Sequence, residues 1–168
     1  MRLIRATTCI ALLFPLFVHA ATAHVHGVAK MDVAVEGNKL SVSMEIPLDN
    51  IVGFEHLPST EAQKVALAES MKKLRNAASL FAPTAAAGCT VESADVADPF
   101  PDGKAKADGH ADVDAEYVFQ CAKPAALKGL ETTLFKHFKR LRRIDVQRAT
   151  PSGQGAATMS AERPSMSW

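Results

Sequence analysis

Two histidines near the start of the chain are the residues best suited to chemistry. His24 and His26 are separated by one residue, and side chains at this spacing point the same way from an extended chain. Neutral imidazole is the side chain that most often binds metal ions in proteins. The pair is therefore a candidate ligand set for zinc or copper.

Residues 1–23 have the features of a secretory signal peptide. Arg2 and Arg5 give the segment a positive start, a short apolar run follows, and small residues mark a cleavage site after Ala23 or Ala20. The apolar run is short for a transmembrane helix. We therefore predict export to the periplasm, with no membrane span in the mature chain, and retention by an N-terminal anchor is the alternative.

The position of the cleavage site bears on the choice of metal. Cleavage after Ala23 would place the new amino group beside His24 and His26, and such a nitrogen-rich set favours copper. Cleavage after Ala20 would leave the two imidazoles in need of other ligands, which favours zinc. The alternative is an N-terminal segment that binds no metal.

Further candidate ligands lie in two later segments. Glu55 and His56 are in a loop after the first predicted hairpin, and the ends of that hairpin lie together, so we predict His56 as a third ligand with Glu55 nearby. His110 and Asp112 share one face of a predicted strand, and imidazole with carboxylate suits zinc. The alternative for His56 is an ordinary surface position. The alternative for His110 and Asp112 is the solvated face of a half-buried strand.

Two cysteines remain once the signal peptide, with Cys9, is removed. An even pair in an oxidising compartment predicts a disulfide between Cys89 and Cys121. Closing a loop of this length would stabilise the fold by about 3.5–4 kcal/mol in the chain-entropy model. The alternative is that both are zinc thiolates, although they lack a close C-x-x-C spacing.

A β-hairpin is the clearest of the elements that must position these residues. Apolar residues alternate over 31–35 and 40–46, and Gly37-Asn38 between them suits a two-residue turn. One face is apolar and the other carries opposite charges. The turn predicts these facing pairs: Glu36 with Lys39, Val35 with Leu40, Val33 with Val42, Met31 with Met44, and Lys30 with Glu45.

The remaining pattern mixes one long helix with further strands. Thr60 and Gln63 form a capping box that predicts a helix running to about Ala78, with a buried stripe of Val65, Ala68, Met71, Leu74 and Ala78. We predict strands over 89–96, 113–121 and 130–134, a short amphipathic helix carrying Phe135, Phe138 and Leu141, and a final hairpin of 144–148 with 156–159.

Together these elements predict the fold class and the domain organisation. The class is α+β, a mostly antiparallel β-sheet with one long helix, a short helix and one disulfide. Residues 24–163 form a single periplasmic domain, and residues 164–168 are expected to fray.

Charge and motifs exclude several classes of function. The chain has 19 basic and 18 acidic residues, a formal charge of +1, so it has no overall field for nucleic acid. The basic stretch 136–143, which includes His137, lacks the interleaved aromatic residues typical of nucleic-acid binding. It is interpreted as a solvated helix face or a patch that docks an acidic partner. No motif places a nucleophile beside a base, so we predict that the protein is not an enzyme.

Several short strings resemble the ZrgA-like family of bacterial periplasmic proteins, which is associated with zinc uptake. The strings that carry the resemblance are His24-Val25-His26-Gly27-Val28-Ala29, residues Pro47 to His56, Ala87-Gly88-Cys89, residues His110 to Ala115, Phe119-Gln120-Cys121-Ala122, Leu134-Phe135, residues Arg143 to Gln147, and Gly153-Gln154. Val52-Gly53-Phe54-Glu55-His56 is the most specific of them. The resemblance covers nearly the whole mature chain.

The resemblance implies a periplasmic zinc-binding accessory protein that works beside an inner-membrane ABC-type transporter in zinc uptake or buffering. By position it implies His24, His26, His56 and His110 as ligands. Many relatives carry a long insertion rich in histidine and aspartate before the strand near His110, whereas here residues 98–109 contain lysines and no histidine. A single structured site is therefore expected rather than a high-capacity store. The alternatives are a metal-free envelope scaffold acting with a transporter, and copper binding through the mature N-terminus.

Overall fold

The first hairpin forms the centre of the main sheet. The computed structural model describes residues 25–105 and 109–168, and in it β1 (Val28–Glu36) pairs antiparallel with β2 (Lys39–Pro47) in the register predicted from the turn. The inward side chains of both strands are buried. On the opposite face Lys30 Nζ lies 2.9 Å from Glu45 Oε1. The predicted signal peptide and His24 lie outside the described residues.

Four further strands complete a six-stranded sheet. They are β4 (Cys89–Val96), β5 (Asp112–Cys121), β7 (Arg143–Thr150) and β8 (Gly153–Ser160). The strand order is β4-β5-β2-β1-β7-β8. All neighbours are antiparallel except β1 and β7, which are parallel. The mostly antiparallel α+β class is therefore confirmed, as is the final hairpin.

A second, three-stranded sheet has the order β3-β6-β9, from β3 (Phe81–Pro83), β6 (Gly129–Thr132) and β9 (Ser165–Ser167). The expectation that residues 164–168 fray was wrong, because β9 pairs with β6 and buries Met166. Gly129 permits this close approach, since a Cβ there would lie 2.5 Å from the Met166 carbonyl oxygen. The predicted strand over 130–134 is shorter than expected.

The helices differ from the predicted pattern in length and in burial. They are α1 (Leu48–Val52), α2 (Glu61–Leu74), α3 (Ala77–Leu80) and α4 (Leu134–His137), with short 3₁₀ turns at Ala85–Ala87, Pro101–Gly103 and Pro124–Ala126. The Thr60–Gln63 capping box of α2 is confirmed. No helix within 25–105 or 109–168 is long and apolar enough to cross a bilayer.

The predicted buried stripe of the long helix was partly wrong. Val65, Ala68 and Ala78 are exposed, whereas Met71 and Leu74 are buried. The reason is that only the last turns of α2 reach the core, and the non-helical backbone at residue 76 ends the helical phase before α3 begins.

One face of the main sheet packs against the helices and the second sheet. Tyr117 of β5 donates a hydrogen bond to the Leu74 carbonyl over 3.0 Å, and its ring contacts Phe81 with centroids 4.9 Å apart. Cys89 and Cys121 lie opposite each other on β4 and β5 and form the predicted disulfide. The interpretation of the two cysteines as zinc thiolates is therefore wrong.

Candidate metal centre at one end of the main sheet

Four neighbouring strands have an end at the same place in the main sheet. β1, β5 and β7 begin there and β2 ends there, because β1 is antiparallel to β2 and parallel to β7, while β2 is antiparallel to β5. The segments that flank these ends contain most of the candidate ligands. The topology therefore brings together residues that are far apart in sequence.

The short helix α1 connects these segments through hydrogen bonds. The Leu48 N–H, at its start, donates to the Ala111 carbonyl over 2.8 Å. Asn50 is fully buried, its Oδ1 accepts the Gly27 N–H, and its Nδ2 donates to the Val28 carbonyl over 2.9 Å. The residues adjoining His26 and His110 are thereby held against the same helix.

Glu55 lies between two imidazoles. Its Oε1 is 3.3 Å from His26 Nε2 and its Oε2 is 2.9 Å from His110 Nδ1. The Glu55 side chain is only 10% exposed, whereas His26 and His110 are 57% and 54% exposed. The carboxylate thus forms the floor of the cluster and the two imidazoles form its rim, open to solvent.

Asp49 and Arg140 support the same cluster from the other side of His26. Arg140 Nη2 lies 2.8 and 2.9 Å from the two carboxylate oxygens of Asp49, and Arg140 Nε donates to the Asp49 carbonyl over 2.9 Å. Asp49 Oδ2 is 3.9 Å from His26 Nδ1. Since Arg140 occupies the carboxylate, Asp49 is suited to orient His26 rather than to bind a metal ion.

The structure brings together some of the predicted ligands and not others. His26 and His110 both contact Glu55, and Asp112 starts β5 two residues after His110 with its Oδ1 buried. His56 points elsewhere: its Nδ1 is 2.8 Å from the Leu57 carbonyl oxygen and its ring stacks on Phe54.

The described residues do not by themselves form a complete metal-binding group. Within the described residues, no group of three or more His, Cys, Asp or Glu side chains is arranged to hold a metal ion. His24, the predicted partner of His26, lies outside the residues that the structure describes.

Three residues of this site were missed by the sequence reasoning. Asp49 and Asn50 follow a strand-ending proline, a place where a polar pair reads as a simple turn. Arg140 belongs to a run of cations that was interpreted as a solvated face or docking patch. The one signal in the sequence was that a charged residue, Asp49, stands next to an amide residue, Asn50. This adjacency does not identify the residues with which they pair.

Residues 23–168 match the model of the ZrgA family zinc uptake protein. The fold and the histidine–carboxylate cluster thus occur in a protein related to zinc uptake. The chain belongs to the ZrgA family. No curated protein matches the chain significantly.

Proposed function

We propose that the protein is a periplasmic zinc-binding accessory protein that buffers zinc or delivers it for uptake, and that it is not an enzyme. The observation that carries the proposal is the Glu55 carboxylate in contact with the imidazoles of both His26 and His110. Nitrogen from histidine and oxygen from carboxylate are the donor types that zinc accepts in proteins.

Binding requires a modest rearrangement of side chains already present. A zinc ion would be held by the Glu55 carboxylate and by the imidazoles of His26 and His110, whose side chains are about half exposed. His24 lies two residues before His26 in the sequence. His24 and Asp112 are our candidates for the remaining ligand positions, and His56 ranks below them because of its contacts with Leu57 and Phe54.

Contacts behind the histidines favour one defined site over loose binding at the surface. Metal-binding histidines commonly carry a carboxylate or carbonyl on their other ring nitrogen, which sets the ring orientation. The Asp49 carboxylate, held by Arg140, lies 3.9 Å from His26 Nδ1 and is the group nearest to such a position. The open rim also suits zinc as cargo, because an incoming ligand can reach the ion without unfolding the domain. An inner-membrane ABC-type transporter is the proposed recipient.

Zinc calorimetry on the mature, oxidised protein tests the proposal. We expect one-to-one binding that weakens by about 100-fold in His26→Ala and in His110→Ala, and by about 10- to 100-fold in Glu55→Gln. His137→Ala is the matched control, because His137 is exposed on α4 and forms no ion pair with a carboxylate within residues 25–105 and 109–168. Zinc binding should also weaken on acidification, since a bound imidazole must be neutral.

Two results would overturn the proposal. One is a mature protein that does not bind zinc. The other is equal weakening in His137→Ala and His26→Ala, which would mean that zinc binds to surface histidines without a site. His56→Ala distinguishes a ligand set that includes His56 from one that does not. The zinc affinity should stay unchanged if His56 keeps its contacts with Leu57 and Phe54.

A further inference from the structure

A band of cations borders the candidate metal centre. We define the basic patch as Lys136, Lys139, Arg140 and Arg142, all of which are exposed. Arg140 is paired with Asp49. Lys136, Lys139 and Arg142 have no ion pair among residues 25–105 and 109–168. A surface with several uncompensated cations attracts anionic partners over a distance of about 10 Å at moderate salt.

The backbone holds this patch against the segment that carries His26. The N–H groups of Arg142 and Arg143 both donate to the Gly27 carbonyl, over 2.8 and 3.0 Å. Phe138 and Leu141, which alternate with the cations in sequence, are buried in the core. The patch therefore has a fixed position relative to His26.

A shallow depression joins the patch to the metal centre. It has a volume of about 300 Å³ and is lined by His26, Gly27, Asp49, Lys139, Arg140 and Arg142. Its one carboxylate, Asp49, already accepts three hydrogen bonds from the Arg140 guanidinium. Lys139 and Arg142 are thus left to attract a carboxylate from outside into a depression that His26 also lines.

We propose that the depression and the basic patch dock an acidic segment of a partner protein and bring one of its carboxylates next to His26. Docking would favour direct transfer of the ion, because a carboxylate beside His26 can enter the coordination sphere before a histidine leaves. This second part rests on the zinc site proposed above. Docking itself requires only the cations and the depression.

The surroundings favour a protein partner over a membrane. Segments that attach to anionic bilayers combine cations with exposed large apolar side chains that enter the lipid. Within 136–143 the large apolar residues are buried instead. The cations also surround a local depression, which suits a single carboxylate-bearing segment better than a flat layer of headgroups.

Fluorescence anisotropy with a labelled peptide of twelve alternating Asp and Glu residues tests the docking step, in buffer with EDTA and no zinc. We expect binding that weakens as NaCl is raised, and that weakens about tenfold or more in Lys139→Glu/Arg142→Glu. The matched control is Lys123→Glu/Lys128→Glu, which makes the same charge change on exposed residues at the other end of the sheet. Lys139→Gln/Arg142→Gln should show a smaller loss in the same direction.

Equal losses in the patch and control variants, or no binding, would overturn the docking proposal. Stronger binding to phosphatidylglycerol vesicles than to the peptide, lost in the same patch variant, would identify a membrane partner instead and also overturn it. Zinc calorimetry on Lys139→Glu/Arg142→Glu keeps the two proposals separate. A variant that binds zinc normally but loses the peptide supports docking, whereas failure of the native protein to bind zinc leaves the docking result standing by itself.

The transfer step has its own measurement. Zinc-loaded protein is mixed with one of two peptides. Both begin with four histidines; the first continues with six aspartates and the second with six serines. Direct transfer predicts a rate that rises with the concentration of the aspartate peptide and that falls in the patch variant. A rate independent of peptide concentration and identical for both peptides would mean that the ion dissociates first, and would refute direct transfer.

Discussion

Replacing Asn50 with alanine should weaken both the fold and the zinc site, because this buried amide fixes the backbone next to His26. The carboxamide accepts the Gly27 N–H and donates to the Val28 carbonyl. Asn50 is fully buried and Gly27 is buried too, so water cannot readily replace the bond to Gly27 in Asn50→Ala, whereas the bond to the Val28 carbonyl is partly buried. The variant therefore loses two hydrogen bonds and leaves two backbone groups without their partner.

The magnitude follows from those two bonds. Leaving the buried Gly27 N–H unsatisfied costs about 1–3 kcal/mol, and losing the partly buried bond to the Val28 carbonyl costs about 0.5–1.5 kcal/mol, so the free energy of unfolding should fall by about 1.5–4.5 kcal/mol. Freeing the backbone at His26 adds an ordering cost of about 1–2 kcal/mol when zinc binds, and 1.4 kcal/mol corresponds to a factor of about ten in the dissociation constant. We therefore expect zinc affinity to fall by about tenfold in the variant.

Urea unfolding and zinc calorimetry on the same preparations measure the two effects. Leu40→Ala is the control, because Leu40 is fully buried at the other end of the hairpin and its truncation costs about 2–5 kcal/mol. This control should lose stability but keep its zinc affinity. The reasoning is refuted if Asn50→Ala is destabilised by less than about 1 kcal/mol, or if both variants lose the same zinc affinity.

Two further predictions concern the core and the disulfide. Cys89→Ser/Cys121→Ser should lower the free energy of unfolding by about 3.7 kcal/mol, because the disulfide closes a loop with a sequence separation of 32 residues. Zinc affinity should stay unchanged, because the disulfide lies at the opposite end of β5 from Asp112. A loss of zinc affinity in calorimetry would contradict the independence of the two sites. Burial raises the pKa of Tyr117 well above its usual value of 10.0. The protonated hydroxyl therefore contributes fully to the free energy of unfolding below pH 10. This contribution decreases as the pH rises further, because the unfolded chain loses the proton first. Tyr117 is the only tyrosine in the chain, and the one tryptophan does not ionise in this range, so the change in ultraviolet absorbance on tyrosinate formation reports Tyr117 alone. The unfolded protein should ionise near pH 10 and the native protein should not. Identical titrations of the two states would show that the hydroxyl is not buried.

Much of the sheet could be predicted because its signals are local. The Gly37-Asn38 turn and the alternation on both sides of it determine the register of β1 and β2 without help from the rest of the chain. The capping box at Thr60 is equally local, and it marked the start of α2 correctly. The disulfide required only the count of cysteines and the expected compartment.

Other features were not predictable because they depend on which surface an element meets. Val65 and Ala68 have the spacing of a buried stripe, yet they are exposed because only the end of α2 reaches the sheet. The final residues lack a strong strand pattern, and they become β9 only because β6 offers an unpaired edge and Gly129 leaves room for it. The periodicity of apolar residues indicates whether a segment is a helix or a strand, but it does not indicate which part of that segment meets the core.

The candidate site divides in the same way. The sequence by itself determined the residue types, namely histidines and carboxylates near strand ends, and it named His26, Glu55 and His110 among the candidates. Only the tertiary structure decided that Glu55 bridges these two imidazoles, that His56 turns to Leu57, and that Asp49 is held by Arg140. The physical reason is that coordination and ion pairing act over about 3 Å between side chains up to 91 residues apart. Such distances are set by how the strands order in the sheet, which local pattern does not specify.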